Sequence, residues 1–227
     1  MLPPLFDSHC HFDFSVFDKT RESIWQQCQA SGLQGLLIPG IHPEQWQTLI
    51  QLQQQEPRWH IAFGLHPWFL SHYQGAEILS QQLFKALQNE NVSAIGECGL
   101  DKTIATDLNT QIEAFEVQLR IAQQLNKPVI VHSVKSHNEV LRSLKTFNVI
   151  GVIHGFTGSY QQAMDFIEQG FYLGVGGSIS YPRANKTRQA ISQAPLEYLL
   201  LETDAPDMPL AGFQGQTNSP AQLLKVA

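Results

Sequence analysis

Eight short apolar runs, at residues 5–9, 36–39, 60–64, 92–96, 129–132, 149–154, 171–175 and 198–201, alternate with stretches of helical period at 20–30, 44–55, 78–88, 111–125, 138–145, 161–169 and 186–193. This alternation constrains the fold more than any other feature of the chain. Apolar runs of strand length followed by helices are the pattern of βαβ units, whose strands pair in parallel. Strands of a parallel sheet are covered on both faces, which is why such runs are apolar almost throughout. Eight strands separated by seven helices predict a (β/α)8 TIM barrel, somewhat distorted, formed by residues 1–227 as a single domain. A doubly wound open sheet is the alternative, but no Gly-x-Gly-x-x-Gly follows the first run. Beyond the eighth run lie a loop at 207–219 and a proline-led stretch at 220–227. That stretch is only about two helical turns long, so the last helix of the barrel is expected to be truncated.

Several classes are disfavoured at once. No stretch approaches the ~20 apolar residues of a membrane span, and the first residues lack the basic and apolar regions of a signal peptide. The expectation is a cytoplasmic protein with no membrane partner and no obligate protein partner. Cys10, Cys28 and Cys98 are odd in number and show no CxxC spacing; they read as small buried residues in a reducing compartment. Metal ligation by Cys10 or Cys98, which sit beside candidate ligands, is the alternative. A formal net charge of −6 disfavours nucleic-acid binding through a broad basic surface, but not a cleft that grips a few phosphates.

The chemistry is carried by polar residues at the ends of the apolar runs. His9 and His11 are two apart at the end of the first run, so their side chains share a face. Glu97 ends the fourth run, His132 the fifth and His154 the sixth, and Asp204 follows the eighth. Barrel active sites lie at the C-terminal ends of the strands. A carboxylate buried there without a partner costs several kcal/mol or more, unless it is neutralised or binds a cation. Imidazoles with carboxylates suit zinc, manganese, iron or nickel, with magnesium possible at a carboxylate-rich position. Four histidines and two acids exceed the three protein ligands of a single catalytic zinc. Two divalent ions bridged by Glu97 are therefore the economical reading.

These residues lie in segments that resemble the TatD family of metal-dependent deoxyribonucleases, within the amidohydrolase group of barrels. The segments are Asp-Ser-His-Cys-His (7–11), Gly-Leu-His-Pro (64–67), Gly-Glu-Cys-Gly-Leu-Asp (96–101), Lys-Pro-Val-Ile-Val-His (127–132), His-Gly-Phe-Thr-Gly (154–158) and Leu-Glu-Thr-Asp-Ala-Pro (201–206). Residues 174–183 and 207–216 resemble its YjjV-type branch in particular. The resemblance implies a distorted barrel with two divalent metals, one held by His9, His11, Glu97 and Asp204 and the other by Glu97, His132 and His154. It also implies hydrolysis of phosphodiester bonds in DNA, by exonuclease action on single strands in some members. Many members carry His-x-Arg after the fifth strand, where this chain reads His132-Ser133-Val134. That removes one phosphate contact, and on a regular strand Lys135 would face another direction.

The expected reaction is attack on phosphorus by a metal-activated water, with Asp204 as general base and Glu97 as the shared catalytic carboxylate. Asp7 and Glu202, each two residues from a ligand, are candidates to orient one. His66 either touches a substrate phosphate or closes a His-Pro turn. Asp101 reads as a loop-capping residue. Arg183, with Lys186 and Arg188, forms the densest basic cluster and is either a phosphate contact or a solvated face. Trp46, Trp59 and Trp68 either stack on bases or pack. Hydrolysis of an amide, ester or lactone by the same centre is the alternative to action on DNA. A non-catalytic metal-binding scaffold is a third reading, disfavoured by the complete ligand set.

Overall fold

The computed structural model describes residues 4–88 and 91–227. In it, strands and helices succeed one another as β1 (Leu5–Asp7), α1 (Arg21–Ala30), β2 (Leu33–Pro39), α2 (Trp46–Gln55), β3 (Trp59–Phe63), α3 (Ala76–Ala86), β4 (Val92–Asp101) and α4 (Leu108–Leu125). They continue as β5 (Val129–Val134), α5 (His137–Leu144), β6 (Gly151–Ile153), α6 (Tyr160–Ile167), β7 (Phe171–Val175), α7 (Asn185–Gln193), β8 (Leu199–Leu201) and α8 (Leu223–Val226). The sheet runs β1 to β8 in sequence order and each neighbouring pair is parallel. This is the (β/α)8 barrel rather than the doubly wound sheet, since the strand order never reverses.

The barrel is nearly closed. Between β8 and β1 a seam of hydrogen bonds stands in for a strand ladder. Ser8 donates its N–H and its hydroxyl to the Leu201 carbonyl (2.9 and 3.0 Å), Asp204 N–H donates to His9 O (2.9 Å), and His11 N–H donates to Ala205 O (2.8 Å). The distortion lies in unequal strands: β1, β6 and β8 have three residues each, whereas β4 has ten.

Period-two alternation sorts the side chains into two cores. Leu36, Ile38, Ile61, Phe63, Val129, Val131 and Leu173 belong to the large core that also takes in the helices' buried residues, such as Leu49, Leu83 and Phe115. Leu37, Ala62, Ala94, Ile130, Val152 and Leu200 form a separate apolar plug inside the barrel. Continuing two residues at a time past this plug gives His132 after Ile130, His154 after Val152, and Glu202 then Asp204 after Leu200. The same pleat that fills the barrel thus carries His132 to the C-terminal mouth, whereas Asp204 lies past the end of β8 with φ +56°.

The fourth strand departs most from its predicted bounds. Its apolar run ends at Gly96, yet β4 continues through Glu97, and Cys98–Asp101 pair with Val131–Val134 after a register shift following Ile95. A strand carries a buried carboxylate only where partners surround it, and those partners come from other strands. The loops at the mouth are fixed by side chains that satisfy their backbone carbonyls. Arg21 donates to the carbonyls of Phe12, Asp13 and Phe14 (2.8–3.3 Å). Arg188 does the same for Ile179, Tyr181 and Pro182. Asn218 donates to Thr203 O and Asp207 O (2.8 and 2.9 Å).

Candidate metal centre

Glu97 occupies the middle of the mouth, and its two oxygens face different partners. Oε2 lies 3.3 Å from His9 Nε2 and 3.4 Å from His11 Nε2. Oε1 lies 2.9 Å from His154 Nε2, 3.0 Å from His132 Nδ1 and 3.3 Å from His66 Nε2. Asp204 Oδ1 joins the first group, 3.4 Å from His9 Nε2 and 3.7 Å from His11 Nε2. His9 and His11 follow the end of β1, His132 lies within β5, and His154 follows β6. The structure therefore brings together all six residues that the sequence singles out.

This donor set fits a metal. His9 Nε2 and His11 Nε2 face each other at 3.3 Å, and His132 Nδ1 faces His154 Nε2 at 3.1 Å. Two imidazole lone pairs held that close repel unless a proton or a cation lies between them. Donors bound tetrahedrally at 2.0–2.1 Å from one ion are roughly 3.3 Å apart, which is the spacing seen here. The electrostatics point the same way. Burial disfavours a charge on His154, yet Glu97, Asp204 and Glu202 outweigh it and lift its pKa to about 10. Burial, with Glu97 and Asp207 nearby, raises Asp204. Burial works against the charge on Glu97, but His154, His66 and His9 hold it well below the usual carboxylate range. The buried carboxylates around His154 thus favour a positive charge beside them.

Two imidazoles have their tautomers set by neighbours. His132 Nε2 lies 3.4 Å from Asp101 Oδ2, so Nε2 carries the proton and the Nδ1 lone pair points at the Glu97 side. Asp101 is buried. It also accepts from Trp68 Nε1 (2.7 Å) and from Thr103 N–H (2.8 Å). Sequence reasoning gave Asp101 a loop role only; the signal for more is its place on β4, two residues beyond Gly99, which pairs with His132. His66 Nδ1 accepts the Trp68 N–H (3.1 Å). Its Nε2 is then an N–H that donates to Glu97, which makes His66 a donor into the pocket rather than a metal ligand.

The remaining sequence candidates fall differently. Asp7 is buried and reaches backbone rather than a ring: it accepts from the N–H groups of His9 (3.3 Å) and Thr203 (3.0 Å) and from the Thr203 hydroxyl (2.6 Å). Glu202 lies beneath His154, 3.9 Å from its Nδ1, and accepts from Gly155 N–H. Burial, reinforced by Asp204, pushes the Glu202 carboxyl up to about 8. Arg183 stacks on Tyr181, 5.0 Å from the ring centre, and does not line the pocket. Lys135 has φ +53°, so its side chain leaves β5 in a new direction, towards Lys102 and His137. Cys10 and Cys98 donate to the carbonyls of Ala205 and Ile130 (3.7 and 3.6 Å). Burial raises both thiols, so neither offers a thiolate. Trp46 and Trp59 are buried, whereas Trp68 is 63% exposed at the rim.

The cluster opens into a cavity of about 340 Å³ walled by Phe14, Ile41, Trp68, Phe69, Asp207 and Met208. Phe14, Ile41, Phe69 and Asp207 also border a broader open groove of about 690 Å³. These walls come from the loops after β1, β2, β3 and β8. No helix among the described residues is long and apolar enough to cross a membrane.

A nearly closed parallel barrel whose C-terminal mouth gathers histidines and carboxylates around one glutamate defines a metal-dependent hydrolase. A family model described as TatD related DNase matches residues 6–227, and the chain belongs to that family. It is 40% identical over 232 residues to the uncharacterized metal-dependent hydrolase YjjV of Escherichia coli (strain K12), with 100% of this chain and 88% of that one covered. It is 33% identical over 208 residues to the 3'-5' ssDNA/RNA exonuclease TatD of Escherichia fergusonii, covering 89% of this chain and 79% of that one. The crystal structure of Escherichia coli YjjV aligns with a TM-score of 0.92 at 40% identity, covering 98% of this chain and 87% of that one.

Proposed function

We propose that this hydrolase cleaves phosphodiester bonds in DNA with the help of two divalent ions, of zinc, manganese or magnesium, that share Glu97. The observation that carries the reading is the split of Glu97: one oxygen faces His9 and His11 with Asp204 beside them, the other faces His132 and His154. In this reading His9, His11, Glu97 and Asp204 hold one ion, and Glu97, His132 and His154 hold the other. When bound, the ions lower the pKa of water and neutralise charge on phosphoryl oxygens. The exonuclease name of the TatD relative supports the substrate class.

The chain's own groups supply the rest. Asp204 lines the pocket and takes the proton from the attacking water. His66 offers its Nε2–H to a phosphoryl oxygen. Asp7 fixes the backbone of His9 and Thr203, and so places both His9 and Asp204. Glu202 supports His154 from below. Trp68, Phe14 and Phe69 present aromatic faces on which bases stack. Arg183 stands outside the pocket and serves a substrate that extends past it. Three free, buried cysteines suit the reducing cytoplasm, where we place the protein.

A second reading rests on a specific observation: no lysine or arginine lines the pocket among the described residues. An uncharged ester, amide or lactone would suit such walls and the same centre. The deciding experiment compares metal-reconstituted enzyme on single-stranded DNA, double-stranded DNA and a panel of esters and lactones, with and without chelator. Chelator-sensitive shortening of single-stranded DNA supports the nuclease reading. Turnover confined to the carbonyl substrates replaces it.

A further inference from the structure

A second group of donors lies apart from the Glu97 centre. His42 follows β2, Glu44 belongs to the turn Pro43–Gln45, and His72 ends the 3-10 segment Pro67–His72 after β3. One donor atom from each lies within 4.8 Å of the others. His72 Nδ1 is 3.7 Å from Glu44 Oε1. The His42 and His72 rings are nearly parallel, 16° apart, with centres 5.3 Å apart. His42 Nδ1 is buried and has no hydrogen-bond partner among the described residues. Burial, then the neighbouring His72, lowers the pKa of His42, which keeps a lone pair available at neutral pH.

Simple packing accounts for the contact of His42 with Phe69, at 5.0 Å between ring centres. It does not account for a buried, unpartnered ring nitrogen beside a second imidazole and a carboxylate. A buried polar atom left without a partner is destabilising, and a bound cation removes that cost.

We propose that His42, Glu44 and His72 form a further binding site for a divalent transition-metal ion, distinct from the centre around Glu97. Two imidazoles and one carboxylate suit zinc, nickel or copper, and not magnesium or calcium, which take oxygen ligands. Tetrahedral donors around zinc stand roughly 3.3 Å apart, so the side chains must draw in from their present spacing. Glu44 and His72 are free to do so, with side chains 75% and 33% exposed. His42 also lines the open groove that shares Phe14, Ile41, Phe69 and Asp207 with the pocket. An ion here sits on the wall of the approach to the reacting centre.

The test is a difference in metal content, so it holds whatever number of ions the Glu97 centre takes. Chelator-stripped full-length protein is saturated with zinc, desalted and analysed for bound metal, alongside His72→Gln, His42→Gln and Glu44→Gln. Each histidine variant is expected to carry one equivalent fewer than the wild type, and Glu44→Gln to bind that equivalent more weakly. Crystals of the zinc-loaded wild type, measured at the zinc edge, should show an anomalous peak between His42 and His72. Equal zinc content in wild type and His72→Gln, with unchanged apo-protein melting, overturns the proposal. Should a variant melt early, the wild-type anomalous map decides alone, and no peak beside His42 overturns the proposal.

Discussion

Asp101→Asn isolates the contribution of one carboxylate that touches no donor oxygen of the centre. Asp101 Oδ2 accepts from His132 Nε2 and thereby holds the Nδ1 lone pair of His132 towards Glu97. Asparagine keeps the shape but loses the charge, and it must place an NH₂ where one oxygen now accepts. On the Oδ2 side that group meets the N–H of Trp68 and the N–H of His132. On the other side it meets the Thr103 N–H. Facing the imidazole, it drives the ring to the other tautomer, and Nδ1 no longer presents a lone pair to the centre. Losing such a partner lowers metal affinity about 10- to 100-fold, which is about 1.4–2.7 kcal/mol. The 3.4 Å contact is long for a hydrogen bond, so the charge contribution alone belongs near tenfold, and the larger figure requires the tautomer change. Competition titration of zinc against a chromophoric chelator measures the loss. Repeating it in a His132→Ala background removes the partner, and there the Asp101→Asn penalty should vanish. An equal penalty in both backgrounds would show that Asp101 acts only on its loop, and the tautomer argument would fail.

Three further outcomes follow from the same geometry. Asp204→Asn, compared with wild type at matched metal loading, should lower kcat about 10²- to 10⁴-fold, as expected for loss of a positioned base; near-normal turnover at full loading would remove Asp204 from that role. Gly174→Ala puts a Cβ 2.7 Å from Glu202 Cδ and 3.0 Å from His154 Cα. Such overpacking costs about 1–3 kcal/mol, read as a Tm loss of roughly 2–4 °C for each kcal/mol, and an unchanged Tm would mean that Glu202 moves freely. Glu56 accepts from Arg58 and Trp25. The bonds from Arg58, ahead of the other influences, lower its pKa from 4.5 to about 2. A depressed folded-state pKa stabilises above the unfolded value and loses that contribution as pH falls. The Tm gap between wild type and Glu56→Gln should therefore be full near pH 7 and close between about pH 4.5 and about pH 2; a pH-independent gap would refute the linkage.

The architecture was legible because parallel strands buried on both faces leave continuous apolar runs, and the six donors were legible because each stands where such a run stops. The true extent of β4 was not, since Glu97 reads as a terminus until histidines from four other strands are seen around it. Asp101 was missed for the same reason: its bond to His132 exists only because the strand carries on past Glu97. His66 could be assigned as a donor only once the Trp68 N–H was found on its Nδ1. The basic cluster at 183–188 looked like one feature, yet Arg188 is spent on loop carbonyls and Arg183 lies on Tyr181. The groove walls come from four loops, whose mutual placement is a property of the closed barrel and of no local stretch.

The seam between β8 and β1 has a consequence for how the protein comes into being. His9 and His11 lie on one side of it and Asp204 on the other, and the bond from Asp204 N–H to His9 O crosses it. A ribosome delivers those two histidines at the start of synthesis and Glu97 with the fourth strand, but Asp204 arrives only after the eighth. Until then the growing chain holds five of the six donors. An ion held by His9, His11, Glu97 and Asp204, as proposed above, would act as a clasp on the join with the fewest contacts in the barrel, fastening early and late strands together. Stripping the metal should then loosen the ring first at the place where it was last to close.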